Sequence, residues 1–263
     1  MRGILGIAFV VAALFASAAE ADVIAVPFGD GGVPTQTLFW ESADAKATLV
    51  FIPGGIGQLN LKPTQTDTNN NFYQALKTLS QPANGSPGID VVLFDSPSGL
   101  DLNPRGYPWS RASKDHLGRI SSVVRFYKQK TNLPIWIMGH SNGAVSVTEF
   151  IRFVDPEGGP ALITGLVVSG ARSGTHFDEK ALGIPVLFLH HANDQCRDAF
   201  PNDSVRNFEQ VKKTSTAATE FRYIKGGEVQ SSKSPCESGY HMYNGAETEM
   251  VDALRGFTSS NMP

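Results

Sequence analysis

Gly139-His140-Ser141-Asn142-Gly143 sets a serine between two glycines, directly after the apolar run Leu133-Pro134-Ile135-Trp136-Ile137-Met138. Ile135 to Met138 has the character of a buried strand, and Ala144 to Val154 continues at helical spacing. A strand, a sharp turn through serine and a helix make a nucleophile elbow, which pushes the hydroxyl into the open. The glycines have a steric task there, because side chains at those positions would collide with the neighbouring strand and helix as the turn tightens. A serine hydroxyl attacks poorly until a base takes its proton, and the base needs a third group to orient it and stabilise its cation. Candidates for both lie downstream. Leu187-Phe188-Leu189-His190-His191-Ala192-Asn193-Asp194 puts Asp194 just beyond an apolar strand, and Ser238-Gly239-Tyr240-His241 puts His241 in a late loop.

The chain order serine, acid, histidine resembles that of the α/β-hydrolase superfamily, whose triad members sit in loops at one edge of the sheet. Gly139 to Gly143, Asp194 and His241 carry the resemblance, which spans most of the chain as a pattern of elements. It implies Ser141 as nucleophile, His241 as general base and acid, and Asp194 as the orienting carboxylate. Among the other histidines, His140 is inside the elbow, while His116 and His176 precede the acid. Asp198 and Asp203 are alternative acids further along the same loop, and Asp178 would serve a variant with the acid one strand earlier. An oxyanion hole needs two backbone N–H groups. Asn142, at the helix N-terminus after the serine, supplies one. Pro53-Gly54-Gly55-Ile56-Gly57 stands where the second is expected, with Gly55 the first choice and Ile56 the next; Pro53 replaces the histidine that the family often has there.

Cys196 and Cys236 are the two cysteines of the chain, and in an exported protein a lone pair is expected to form a disulfide. One lies just past Asp194 and the other just before His241, so a bridge would pin the acid loop to the base loop. No cofactor or metal is called for. His190 and His191 are adjacent on a strand and point to opposite faces, which is unsuited to a shared ion. Tyr107-Pro108-Trp109 and His176-Phe177, each after a strand, are available to line an acyl or alcohol pocket.

Strand-like and helix-like segments alternate along the chain, the pattern of a parallel sheet covered by helices on both faces. Val23 to Val26 and Thr37 to Trp40 are expected as N-terminal strands joined by the turn-rich Gly29-Asp30-Gly31-Gly32. Thr48 to Ile52, Ile89 to Asp95, Gly165 to Ser169, Ile184 to His190 and Phe221 to Ile224 are further strands. Helices are expected over Asn71 to Leu79, Ser113 to Lys130, Phe208 to Ser215 and Glu247 to Phe257, with Ser113 as a cap. The fold class is α/β, a mainly parallel central sheet of the α/β-hydrolase type. The short Gly170 to Gly183 segment leaves no room for a large cap domain, and the Ile56 to Asn71 and Ser96 to Ser110 loops are left to form a partial rim.

At the N-terminus Arg2, the apolar stretch Ile4 to Ala16 and the small residues ending in Ala19-Glu20-Ala21 have the layout of a secretory signal peptide, cleaved before Asp22. The stretch is shorter than the ~20 residues that span a bilayer. Residues 22–263, about 240, fit one α/β domain, secreted or periplasmic. The formal net charge of -3, with no run of Lys or Arg, gives no footprint for nucleic acid or an anionic membrane surface. The expected activity is cleavage of a carboxylic ester, small or polymeric, through an acyl-enzyme. A peptidase, thioesterase or acyltransferase would use the same residues, and a non-catalytic binding protein on a hydrolase scaffold is the alternative from another class.

Overall fold

The computed structural model describes residues 21–98, 110–153, 159–178, 182–229 and 233–263. Residues 1–20 of the expected signal peptide, Met1 to Ala21, and the Tyr107-Pro108-Trp109 cluster lie outside the described residues.

Eight strands form one sheet: β1 (Ala21–Val26), β2 (Thr35–Trp40), β3 (Thr48–Ile52), β4 (Asp90–Asp95), β5 (Ile135–His140), β6 (Gly165–Ser169), β7 (Val186–His191) and β8 (Thr219–Ile224), in the order β1-β2-β4-β3-β5-β6-β7-β8. The first two strands make an antiparallel hairpin whose second member pairs antiparallel with β4, and from β4 to β8 every pairing is parallel. β3 to β7 are buried along their whole length. This is why they read as continuous apolar runs of β-branched and aromatic residues rather than as alternating ones.

The two faces carry separate cores. Val50, Val92, Ile137, Val168 and Phe188 pack beneath α2 (Lys114–Thr131), α3 (Asn142–Arg152) and α4 (Pro201–Thr214), whose inward residues include Ile120, Val124, Val147 and Val211. Phe51, Leu93, Met138, Val167 and Leu187, the alternate residues of the same strands, pack beneath α1 (Asn71–Lys77) and α5 (Glu247–Ser260) through Phe72, Leu76, Met250 and Leu254. The two-residue period of a strand thus feeds both faces at once. Ser113 caps α2 by accepting from His116 N–H, and Asn132 closes it in the left-handed conformation at φ 55°. α4 begins at Pro201, seven residues before the expected Phe208. Proline at the first helical position loses no hydrogen bond, since that N–H has no partner within the helix. Among the described residues no cap domain interrupts the fold.

Candidate active site

The carboxyl ends of the parallel strands β3, β5, β6 and β7 converge on one edge, where a parallel α/β sheet presents its ligand site. Ser141 follows β5 there with φ 56° and ψ -119°, a region that a residue with a side chain enters only at a cost of about 1–3 kcal/mol. Ser141 N–H donates to Ser169 O at 3.0 Å, and its own carbonyl accepts from Ala144 N–H at 3.0 Å, so strand β6 and helix α3 together hold the turn. The elbow glycines are sterically required. A Cβ at Gly139 would lie 2.1 Å from Gly143 O, and one at Gly143 would lie 2.0 Å from Ile52 O; both collisions are with backbone that cannot move aside.

The loop after β3 faces this turn. A Cβ on Gly54 would meet Ser141 Cβ at 2.9 Å, and Gly55 adopts φ +54°. The loop carbonyls point inward to Arg111, a side chain 1 % exposed, whose guanidinium donates to Pro53 O at 3.3 Å, Gly54 O at 3.4 Å and Gly55 O at 2.7 Å, and to Ser146 Oγ at 3.1 Å. Burial lowers this guanidinium to about 10, with the nearby charge of Arg172 acting in the same direction, and it remains charged at neutral pH. A trans peptide points its N–H opposite its C=O. With the Gly54 and Gly55 carbonyls turned to Arg111, the N–H groups of Gly55 and Ile56 face away from it, and neither has a partner among the described residues. The Asn142 side chain closes the arrangement, donating to Gly55 O at 2.9 Å and accepting from Arg172 at 2.9 Å, while Arg172 reaches Asp198 at 3.3 Å.

Asp194, three residues beyond β7, accepts from His241 Nδ1 at 2.7 Å on Oδ2 and from Cys196 N–H at 2.8 Å on Oδ1. His190 Nε2 reaches the same Oδ2 at 3.0 Å. Burial works to raise this carboxyl, and the hydrogen bonds from His190 and His241 outweigh it, holding Asp194 well below the ordinary carboxylate range. The alternative acids are engaged elsewhere: Asp198 with Arg172, Asp203 with Arg206 and Asp178 with Arg152.

The His241 ring lies beside His140, the residue before Ser141, with centroids 4.9 Å apart. His241 Nε2 is buried with no hydrogen-bond partner among the described residues, and no hydrogen bond links it to Ser141. Burial and the neighbouring His241 hold His140 well below the ordinary imidazole range. Its Nδ1 meets Ser169 Oγ at 3.0 Å, which in turn meets the Tyr243 hydroxyl at 2.9 Å. Gly170 leaves space for this ring, since a Cβ there would lie 2.7 Å from His140 Cε1.

Cys196 and Cys236 form a disulfide with Cα atoms 4.5 Å apart. The bridge is a wall of a cavity of about 470 Å³ whose other lining residues include Gly55, Ser141, Asn142 and Arg172. The structure therefore brings Ser141, Asn142, Gly55 and both cysteines to one opening and pairs Asp194 with His241 behind it. Phe177 does not line the opening; it packs on Phe188 in the core at 5.5 Å, and His176 is exposed near Glu149 at 3.6 Å. Arg111 and His190 were outside the sequence reading as site residues. Neither the His190–Asp194 contact nor the Arg111 contacts with the loop after β3 has a signal in the sequence, since each depends on how the chain turns in space.

No protein-family model matches the chain, and no curated protein matches it significantly. The structure resembles a dienelactone hydrolase from Anabaena variabilis, with a TM-score of 0.62 and 14% identity over 93% of this chain and 100% of that one. It resembles an α/β serine hydrolase without lid from Xanthomonas campestris, at 0.56 and 14% over 93% and 96%. A bacterial brefeldin A esterase, a homologue of human hormone-sensitive lipase, aligns at 0.60 and 13% over 97% and 80%. The fold is that of the α/β hydrolases.

Proposed function

We propose that the protein is an exported serine hydrolase that cleaves carboxylic esters through an acyl-enzyme. The observation that carries this reading is the strained Ser141 opening into a cavity beside a buried Asp194–His241 pair. Ser141 Oγ attacks the ester carbonyl carbon while its proton passes to His241 Nε2. Asp194, accepting from Nδ1, holds the ring with Nε2 free for that proton and stabilises the imidazolium. The Asn142 and Gly55 N–H groups receive the oxyanion, with Ile56 N–H the other donor available in the same loop. His241 then protonates the leaving alcohol, and a water activated by the same ring releases the acid and regenerates Ser141.

Esters rank first because their leaving group asks least of the site. The structural resemblances are to enzymes named as hydrolases and esterases. Export is supported by the N-terminal charge and apolar pattern and by the disulfide, a bond that persists in oxidising compartments. The test is fluorophosphonate labelling with the adduct located by mass spectrometry and Ser141→Ala as control. An adduct on Ser141 that vanishes in the variant is expected; absence of labelling in folded, oxidised protein overturns the reading in favour of a binding protein.

A further inference from the structure

His190 is a buried histidine for which the mechanism above has no use. It sits at the end of β7 with no exposed side-chain surface, and both ring nitrogens are engaged. Nε2 lies 3.0 Å from Asp194 Oδ2 and 3.0 Å from the Ala199 carbonyl, and Nδ1 lies 2.6 Å from Ser204 Oγ.

The partners fix the tautomer. A backbone carbonyl can only accept, and so can an ionised carboxylate, so Nε2 between Ala199 O and Asp194 Oδ2 must carry a proton. In the neutral ring Nδ1 is then bare and accepts from Ser204 Oγ, a buried hydroxyl in the first turn of α4. Four side chains, Ser204, His190, Asp194 and His241, thus form one continuous hydrogen-bonded row. Both histidines donate to the same carboxylate oxygen, and Cys196 N–H takes the other. The carboxylate is held from three sides and has no freedom to swing away from the base.

We propose that His190 is a positioning residue of this hydrolytic site, a second imidazole donor that fixes the Asp194 carboxylate and moderates its basicity. The proposal rests on the serine-hydrolase reading above. A carboxylate that shares its charge with a second donor stabilises the His241 imidazolium less, so His190 sets the pH at which the base becomes free as well as its orientation. Two further titratable side chains sit against this row and share its field: His140, beside His241, and Tyr243, whose hydroxyl donates to Leu189 O at 3.1 Å. Arg172, in the loop after β6, pairs with Asp198 of the acid loop, and both line the cavity.

The experiment measures the rate of fluorophosphonate labelling of Ser141 against pH in the natural chain and in His190→Phe, His190→Gln and Ser204→Ala. Glutamine can place an amide N–H where Nε2 stood, phenylalanine cannot, and Ser204→Ala weakens the donor while leaving the ring in place. His190→Phe is expected to label about 10-fold more slowly, the scale of loss when an outer partner of a site ligand is removed. Its acid-side midpoint is expected to rise by about half a pH unit. His190→Gln should recover most of the rate and the original midpoint, and Ser204→Ala should show the same upward shift at smaller size. If His190→Phe does not fold, the Ser204→Ala and His190→Gln pair decides by the direction of the midpoint. A natural chain that labels at Ser141 with unchanged midpoints in all folded variants overturns the role of His190 alone; a natural chain that does not label overturns the hydrolase reading and this one with it.

Discussion

Asn142 Nδ2 donates to the Gly55 carbonyl at 2.9 Å, so the residue that follows Ser141 also braces the loop that faces it. Its Oδ1 accepts from Arg172, which keeps the amide from rotating. Asn142→Ala removes the brace and leaves its backbone N–H in place. The Gly55 carbonyl then relies on Arg111 alone, and the loop that presents the proposed Gly55 N–H donor loosens. Kcat for a short-chain aryl ester is expected to fall about 10-fold with KM little changed, because the lost contact acts where charge develops. Steady-state kinetics test this, and an unchanged kcat would mean that Arg111 holds the loop unaided.

Much of this arrangement could be read from the chain because it depends on local pattern. The elbow needs glycine at 139 and 143 for contacts with Gly143 O and Ile52 O, and a strand buried on both faces has no choice but to be apolar. The hydrogen bond between Asp194 and His241 joins two residues that the chain places after a strand and in a late loop, and the disulfide joins the cysteines that flank them. The remaining parts depend on distance in space. Arg111 is 56 residues from Gly55, and its neighbours Ser110, Ala112 and Ser113 form no pattern that signals a buried guanidinium. His190 could be assigned a face of β7 but not a partner, since Asp194 meets it only because the chain reverses directly after the strand.

The elbow stores strain that can be measured. Ser141 at φ 56° and ψ -119° occupies a region that glycine enters freely and residues with a Cβ enter only at a cost. Ser141→Gly should therefore be more stable than Ser141→Ala by about 1 kcal/mol, even after the entropy glycine loses on folding. Both variants lose labelling. Urea unfolding of the two compares them directly, and equal stabilities would show that the surrounding backbone relaxes around the alanine.

The Cys196–Cys236 bridge closes a loop of 40 residues. In the chain-entropy account such a loop contributes roughly 4 kcal/mol, and for a protein of this size each kcal/mol moves Tm by roughly 2–4 °C. The Cys196→Ser/Cys236→Ser double variant is expected to melt at least 8 °C lower by that arithmetic. It should also label more slowly at a temperature where it is fully folded, because Asp194 Oδ1 is held by the N–H of residue 196 in a loop that has lost its anchor. Calorimetry and labelling on the same sample separate the two effects. A lower Tm with an unchanged rate would restrict the bridge to stability.

Asp90 gives a stability dependence on pH that is independent of the site. Its side chain, 3 % exposed at the start of β4, accepts from Ser42 N–H at 2.8 Å, and burial raises it from 3.8 to about 6. A carboxyl raised in the folded state binds its proton more tightly there than in the unfolded chain. The stability this contributes is fully present below the unfolded value and is lost as pH rises through about 6. Above that pH the fold carries a buried anion. Asp90→Asn keeps an acceptor for Ser42 N–H and never ionises. The variant should match the natural chain near pH 4 and exceed it at pH 7 by on the order of 2 kcal/mol. Other carboxylates, Asp194 among them, titrate alike in both chains and cancel in the comparison. Thermal melts of the pair at the two pH values provide the measurement. A variant that gains nothing at pH 7 would mean that the field of Lys130, which favours the anion, already compensates the buried charge.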